Sequence, residues 1–130
     1  RRQRQMCIRD SEWVVADYLA SHLAVPVSNE LTDAPSQVVV FSTGGVTRTL
    51  VSSELRLVFD CYAPQPGEAH SLAARVYALT RDLDCRQVGP VQFYDVDPGP
   101  PYNFPHPDKP DTYRFQFSAL IHARHVEGAD

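Results

Sequence analysis

The chain has 130 residues, 43% of them hydrophobic, and a formal net charge of −4. That length fits one domain with a modest core, and the acidic balance argues against nucleic-acid binding through a basic face. No run of about 18 apolar residues is available to span a membrane, and three scattered cysteines without a CxxC pair support neither a disulfide framework nor a zinc site, which fits a reducing compartment.

Arg1–Ser11 (RRQRQMCIRDS) resembles the translation of a transposon-type sequencing adapter joined to an open reading frame. The other reading is a basic, disordered arm for phosphate or anionic lipid. Removing its four arginines and one aspartate leaves 8 basic and 15 acidic residues, a net of −7. One domain is expected over residues 12–126, with a polar tail at 127–130.

Trp13, Ala16, Tyr18, Leu19 and Leu23 recur at roughly helical spacing, which predicts a helix over Glu12–Leu23 with Ser11 as its N-cap and Trp13 as a core or interface anchor. Val25–Glu30 reads as a short extended piece. Gln37–Ser42 (QVVVFS) is β-branched and aromatic, the composition of a central strand. Thr43-Gly44-Gly45 is a turn signal. It is not a phosphate cradle, because no lysine and no helix follow. Val46–Ser52 reads as a hairpin arm or loop whose tip projects.

Ser53–Tyr62 (SELRLVFDCY) alternates strictly: Leu55, Leu57, Phe59 and Cys61 on one face, Glu54, Arg56, Asp60 and Tyr62 on the other, with Val58 the misfit. This is the pattern of a half-buried strand. Pro64 and Pro66 end it. Ala69, Leu72, Val76, Leu79 and Leu83 then predict an amphipathic helix over Glu68–Leu83. Val91–Val96 is a further strand. Asp97–Asp111 (DPGPPYNFPHPDKPD) holds six of eleven prolines. It is stiffened toward an extended course, and it is either a partner-contacting arm or a loop folded back over its own core. Thr112–Arg124 alternates again, with Tyr113, Phe115, Phe117, Ala119, Ile121 and Ala123 on one face. The order implies an α+β fold: a sheet of about four mostly antiparallel strands, two helices on one face, and a core of Leu55, Leu57, Phe59, Leu72, Val76, Leu79, Phe115 and Phe117. The opposite face is either wet or packed on another subunit.

Chemistry is sparse. The five histidines show no HExxH or comparable ligand spacing. Asp95 and Asp97, two apart where a strand becomes a loop, make a weak case for a cation. Ser52 and Ser53 lack a GxSxG elbow, and Cys61 points inward, where a thiol is an inert small hydrophobe. No nucleophile, base and oxyanion donor assemble, so the chain reads as a non-enzyme without metal or cofactor.

The order of elements, and especially LVSSELRLVFDCYAP, GEAHSLAARVYALTRDL and a proline-rich connection leading into YRFQFSALIHAR, resembles the tail terminator (tail completion) proteins of long-tailed bacteriophages. The resemblance covers about residues 12–126. It implies a virion protein, assembled in the bacterial host cytoplasm. Such a protein forms a ring, usually a hexamer, on the head-proximal end of the tail tube, where it stops polymerisation and meets the head–tail connector. On that resemblance, Thr43, Gly44, Gly45 and Arg48 from one loop would make neighbour and tube contacts. Tyr102, Asn103, Phe104 and His106 from the other, with Arg114, would do the same. An acidic lumen would let DNA pass without binding. Two alternatives stay open: another head–tail joining or minor structural protein, and a cellular ligand-binding α+β domain with its pocket between sheet and helices.

Overall fold

The computed structural model describes residues 2–47 and 52–126. The elements are α1 (Arg2–His22), β1 (Val27–Ser28), β2 (Gln37–Thr47), β3 (Ser52–Ala63), α2 (Pro66–Arg81), β4 (Gln87–Val88), β5 (Val91–Pro98), β6 (Tyr102–Asn103) and β7 (Tyr113–His125). They build a seven-stranded sheet in the order β1-β2-β3-β7-β5-β4, with β6 also on β7. The sheet forms a half-barrel. The expectation of about four strands is therefore corrected. β3 and β7 fall where alternation places them, β5 covers the strand expected at Val91–Val96, and β2 contains the expected Gln37–Ser42 strand but runs on to Thr47. The other three are two residues each, beside prolines and turns, too short to show any period. The sheet is mixed because β1 runs parallel to β2, while the remaining pairs are antiparallel.

Both helices lie against one face. Leu55, Leu57, Phe59 and Cys61 are fully buried there, with Phe93, Phe117, Ala119, Ile121 and Ala123 beside them. Phe59 and Phe117 stack with ring centroids 4.7 Å apart, and Tyr77 of α2 meets Phe117 edge-on at 5.7 Å. Each such side chain contributes about 1.5–3 kcal/mol by leaving water. The line of α2 that meets the sheet is Ala69, Ala73, Val76 and Thr80, and the small residues let the helix approach closely. Leu72 and Leu79 flank that line and are half-buried, as is Phe115; they border the core rather than fill it. Pro66 starts α2 at a position whose amide is unpaired in any helix. Glu68 in the first turn and Arg81 in the last complement the helix dipole.

Helix α1 starts at Arg2, so Ser11 is not its N-cap but a buried mid-helix residue. The buried stripe is Ser11, Val14, Val15 and Leu19, with Tyr18 packed at its border. At about 100° per residue, Trp13 falls on the opposite side of the helix. It is 73% exposed, which overturns its expected role in the core. The adjacent pair Val14-Val15, not the aromatic, sets the orientation.

Thr43-Gly44-Gly45 does not turn the chain. It lies inside β2, where a bulge between Ser42 and Gly44 shifts the register on β3. Gly44 takes φ 140°, a conformation side chains avoid, so the glycine serves the bulge. Pairing continues to Thr47 opposite Ser53. The expected hairpin tip, with Arg48, lies outside the described residues. On the open side of β2, the Val38 amide bonds the Pro26 carbonyl at 2.9 Å, and the Ser42 amide bonds the Glu12 carboxylate at 2.8 Å. Helix α1 thus occupies an edge donor beyond the reach of β1, the kind of cover that discourages strand addition.

The proline connection continues β5 along the same edge of β7. The Gly99 amide donates to Ser118 O at 2.8 Å, Tyr102 pairs with Gln116, and the Phe104 amide donates to Arg114 O at 2.8 Å. Pro100 and Pro101 sit between these ladder bonds, where the absent amides cost nothing. The loop beyond reaches β2's side of the molecule: Lys109 Nζ donates to Thr32 O at 3.0 Å.

Candidate interaction surface

The face of the sheet away from the helices is laid out in cross-strand rows. Tyr62, Asp60, Val58, Arg56 and Glu54 of β3 stand opposite Arg114, Gln116, Ser118, Leu120 and His122 of β7. Gln37, Val39 and Phe41 of β2 extend the first three rows. This face is not uniformly wet. Val39, Val58, Asp60, Tyr62 and Arg114 are all buried although no helix covers them.

The row Gln37–Tyr62–Arg114 holds two loops. Gln37 Oε1 accepts from the Thr32 amide and hydroxyl, both at 3.0 Å, and its Nε2 donates to Thr32 O and Ala34 O at 2.9 and 2.7 Å. Arg114 clamps the proline connection. Its Nε donates to Phe104 O at 2.6 Å, its Nη2 reaches Pro105 O at 3.5 Å, and its guanidinium lies 4.4 Å from the Phe104 ring centroid. Its Nη1 stands 3.4 Å from both Asp60 Oδ2 and the Tyr62 hydroxyl. Gln116 completes the cluster: Nε2 donates to Asp60 Oδ1 at 2.6 Å, and Oε1 accepts from the Tyr102 hydroxyl at 2.6 Å. The His106 ring faces Tyr62 at 6.3 Å.

Burial pushes the Asp60 carboxyl above its ordinary range. The Gln116 hydrogen bond, the Arg114 charge and hydrogen bond, and His106 pull the other way without cancelling it. Burial likewise raises Tyr62, and the Asp60 charge adds to it against Arg114. Burial also raises the Cys61 thiol, so little of it is the nucleophilic thiolate at neutral pH.

At the other end of the same face, Gln87, Gln92 and Arg124 form a row across β4, β5 and β7. With Tyr94 and Val126 they line an open cleft of about 330 Å³. Exposed aromatics border the face as a whole: Tyr94 beside the cleft, and Tyr102 and Phe104 on the proline connection, 5.8 Å apart. By contrast, the space between helices and sheet is filled by fully buried side chains, which leaves little support for a ligand pocket there.

Tyr102, Phe104, His106 and Arg114, all expected at an interface, do come together. Tyr102 is 51% and Phe104 44% exposed, Asn103 is exposed, and His106 is half-buried. Arg114 corrects the expectation. It is 8% exposed and spends its guanidinium on its own chain, so it holds the proline connection in place rather than presenting itself at the surface. Thr43 and Gly44 are exposed, but β3 and β7 separate their strand from β6, and Gly45 continues that strand. Sequence patterning does not single out Asp60, Tyr62, Gln116 or Arg124 as functional. An aspartate in the middle of an apolar strand is the available signal; its partners depend on register, which sequence alone does not carry. Among the described residues no three histidine, cysteine or acidic side chains group to hold a metal, and no helix is long and apolar enough to cross a membrane. No protein-family model matches the chain, and no curated protein matches it.

Proposed function

We propose that the chain is a structural subunit of a long-tailed bacteriophage. In this reading it caps the head-proximal end of the tail tube as a ring, ending tube polymerisation and joining tail to head. One observation carries the reading: a sheet face that its own helices leave uncovered bears apolar and aromatic side chains on loops fixed by buried polar contacts. A rigid, part-apolar face of this kind suits assembly, because little ordering entropy remains to be lost on docking. β3 and β7, at 12 and 13 residues, are long for a domain of this size and carry the sheet past its helix cover. The negative net charge suits a channel through which DNA slides without sticking. No catalytic step, metal or cofactor is assigned. The partners are other copies of the chain, the tube protein and the head–tail connector.

Adding the protein to purified tail tubes, with free tube subunits present, tests the reading. The expected result is tubes that stop growing at one end, with a cap visible there by negative stain. Tubes that elongate at both ends at every protein concentration overturn it.

A further inference from the structure

The Arg124 cleft has fixed walls and no acidic residue among those that line it. Gln87 Nε2 donates to Gly89 O at 3.2 Å, and Gln92 Nε2 donates to Phe93 O at 2.9 Å. Each amide is thereby held in place with its carbonyl oxygen and second N–H still available. Tyr94 is steadied against His122, with ring centroids 5.9 Å apart, and the Val126 amide is tied to Pro90 O at 2.7 Å. The Arg124 side chain is exposed, and its guanidinium makes no hydrogen bond or ion pair with another described residue. A guanidinium flanked by amides is a carboxylate receptor, able to bind in the two-pronged geometry. The cleft is open and polar, so it suits a side chain presented by a protein surface better than an enclosed small ligand.

The matching acids are at the far end of the same chain. There the Lys109–Thr32 contact joins two loops that expose Glu30, Asp33, Asp108 and Asp111. Lys109, the chain's only lysine, is spent on that contact. β7 runs from one end to the other, from Tyr113 to His125, a span of about 40 Å at the usual rise per residue. Within one chain the acidic end and the Arg124 cleft therefore cannot meet. Between copies they can, and a contact between opposite ends of identical chains is head-to-tail, the kind that generates a ring when the rotation closes.

We propose that the Arg124 cleft receives the acidic tip of the proline connection, Asp108 and Asp111, from a second copy of the chain. This rests on the ring reading and adds its subunit contact. It also gives the Arg114 cluster a purpose, because that cluster fixes the connection from which the tip projects.

Two full-length variants test it: Arg124→Glu, and Asp108→Lys combined with Asp111→Lys. All three sites are exposed, and circular dichroism melts confirm that each variant folds. By light scattering, each variant alone needs a concentration roughly tenfold or more above that of the wild type to assemble. An equal mixture of the two assembles again, into rings of even subunit number, since each supplies the charge that the other's partner surface now requires. If the wild type forms rings and either variant assembles as readily alone, the contact is refuted and the ring reading stands. Loss of assembly without recovery in the mixture also refutes the pairing. A wild type that is monomeric at every concentration overturns both.

Discussion

Replacing Arg114 by alanine destabilises the domain by about 3–5 kcal/mol, the usual cost of removing one member of a buried ion pair. Three losses combine. Asp60, 4% exposed, keeps Gln116 as its hydrogen-bond partner but loses the guanidinium charge. The Phe104 carbonyl loses its 2.6 Å donor, and the Phe104 ring loses the cation against its face. The proline connection is then held to β7 by its few ladder bonds and the Tyr102–Gln116 hydrogen bond, so residues 99–112 become the first site of proteolytic cleavage. The effect depends on pH with a definite sign. The folded state raises the Asp60 carboxyl above its unfolded value, so the ionised group is a net cost above the folded pKa, and that cost shrinks as pH falls below the folded pKa and is gone below the unfolded one. Removing Arg114 removes attractions that favour the ionised form, so the carboxyl rises further. The stability deficit of the variant is therefore largest at neutral pH and narrows on acidification. Urea denaturation of wild type and variant at neutral and mildly acidic pH measures it. A deficit below about 1 kcal/mol, or one that widens on acidification, contradicts the assignment of Arg114 as the clamp. The double variant Arg114→Met with Asp60→Leu recovers the part of the loss that comes from leaving Asp60 buried alone, but not the lost Phe104 contacts.

Phe117→Ala costs about 3–5 kcal/mol and leaves a cavity at the centre of the sheet. Phe117 is fully buried, stacked on Phe59 across the β3–β7 pair and touched edge-on by Tyr77. Its removal strips one wall from two aromatic contacts at once, and helix α2 cannot close the gap without leaving β3. Phe115→Ala is the internal control. Two residues along the same face, Phe115 is half-buried at the border of the core, and its aromatic contact is the exposed His70 ring, 5.3 Å away. It should cost less than half as much. Equal losses at the two positions would mean that the helix cover extends further along β7 than the fold places it.

Those two phenylalanines also mark how far the sequence can be read. Alternation puts both on the inner face of β7, and both are there. It does not say where the helices stop, so it groups Phe115 with the core and gives the same face to Tyr113, which is exposed. β3 and β7 are legible because period-two patterning sustained over many residues matches no helix or loop, and the start of β2 because its run is β-branched and aromatic. The two-residue strands are not, because they arise from hydrogen bonding along an edge laid down by longer neighbours. Gly44 shows that the backbone needs freedom, but not whether the outcome is a turn or a bulge. Trp13 misleads because hydrophobic size competes there with angular position, and Val14-Val15 settles the helix face. The aromatics of the proline connection are legible as surface features. The Asp60–Arg114–Gln116 cluster that fixes them is not, because its members are distant in sequence and meet only through the β3–β7 register.

The proposed ring uses the helix-free face and the two ends of the domain. The most direct measurement is the mass of the full-length protein in solution, by light scattering over a wide concentration series. The expected result is a closed assembly of about six subunits, with no larger species as concentration rises, as point-group closure requires. A monomeric mass across the whole series contradicts it.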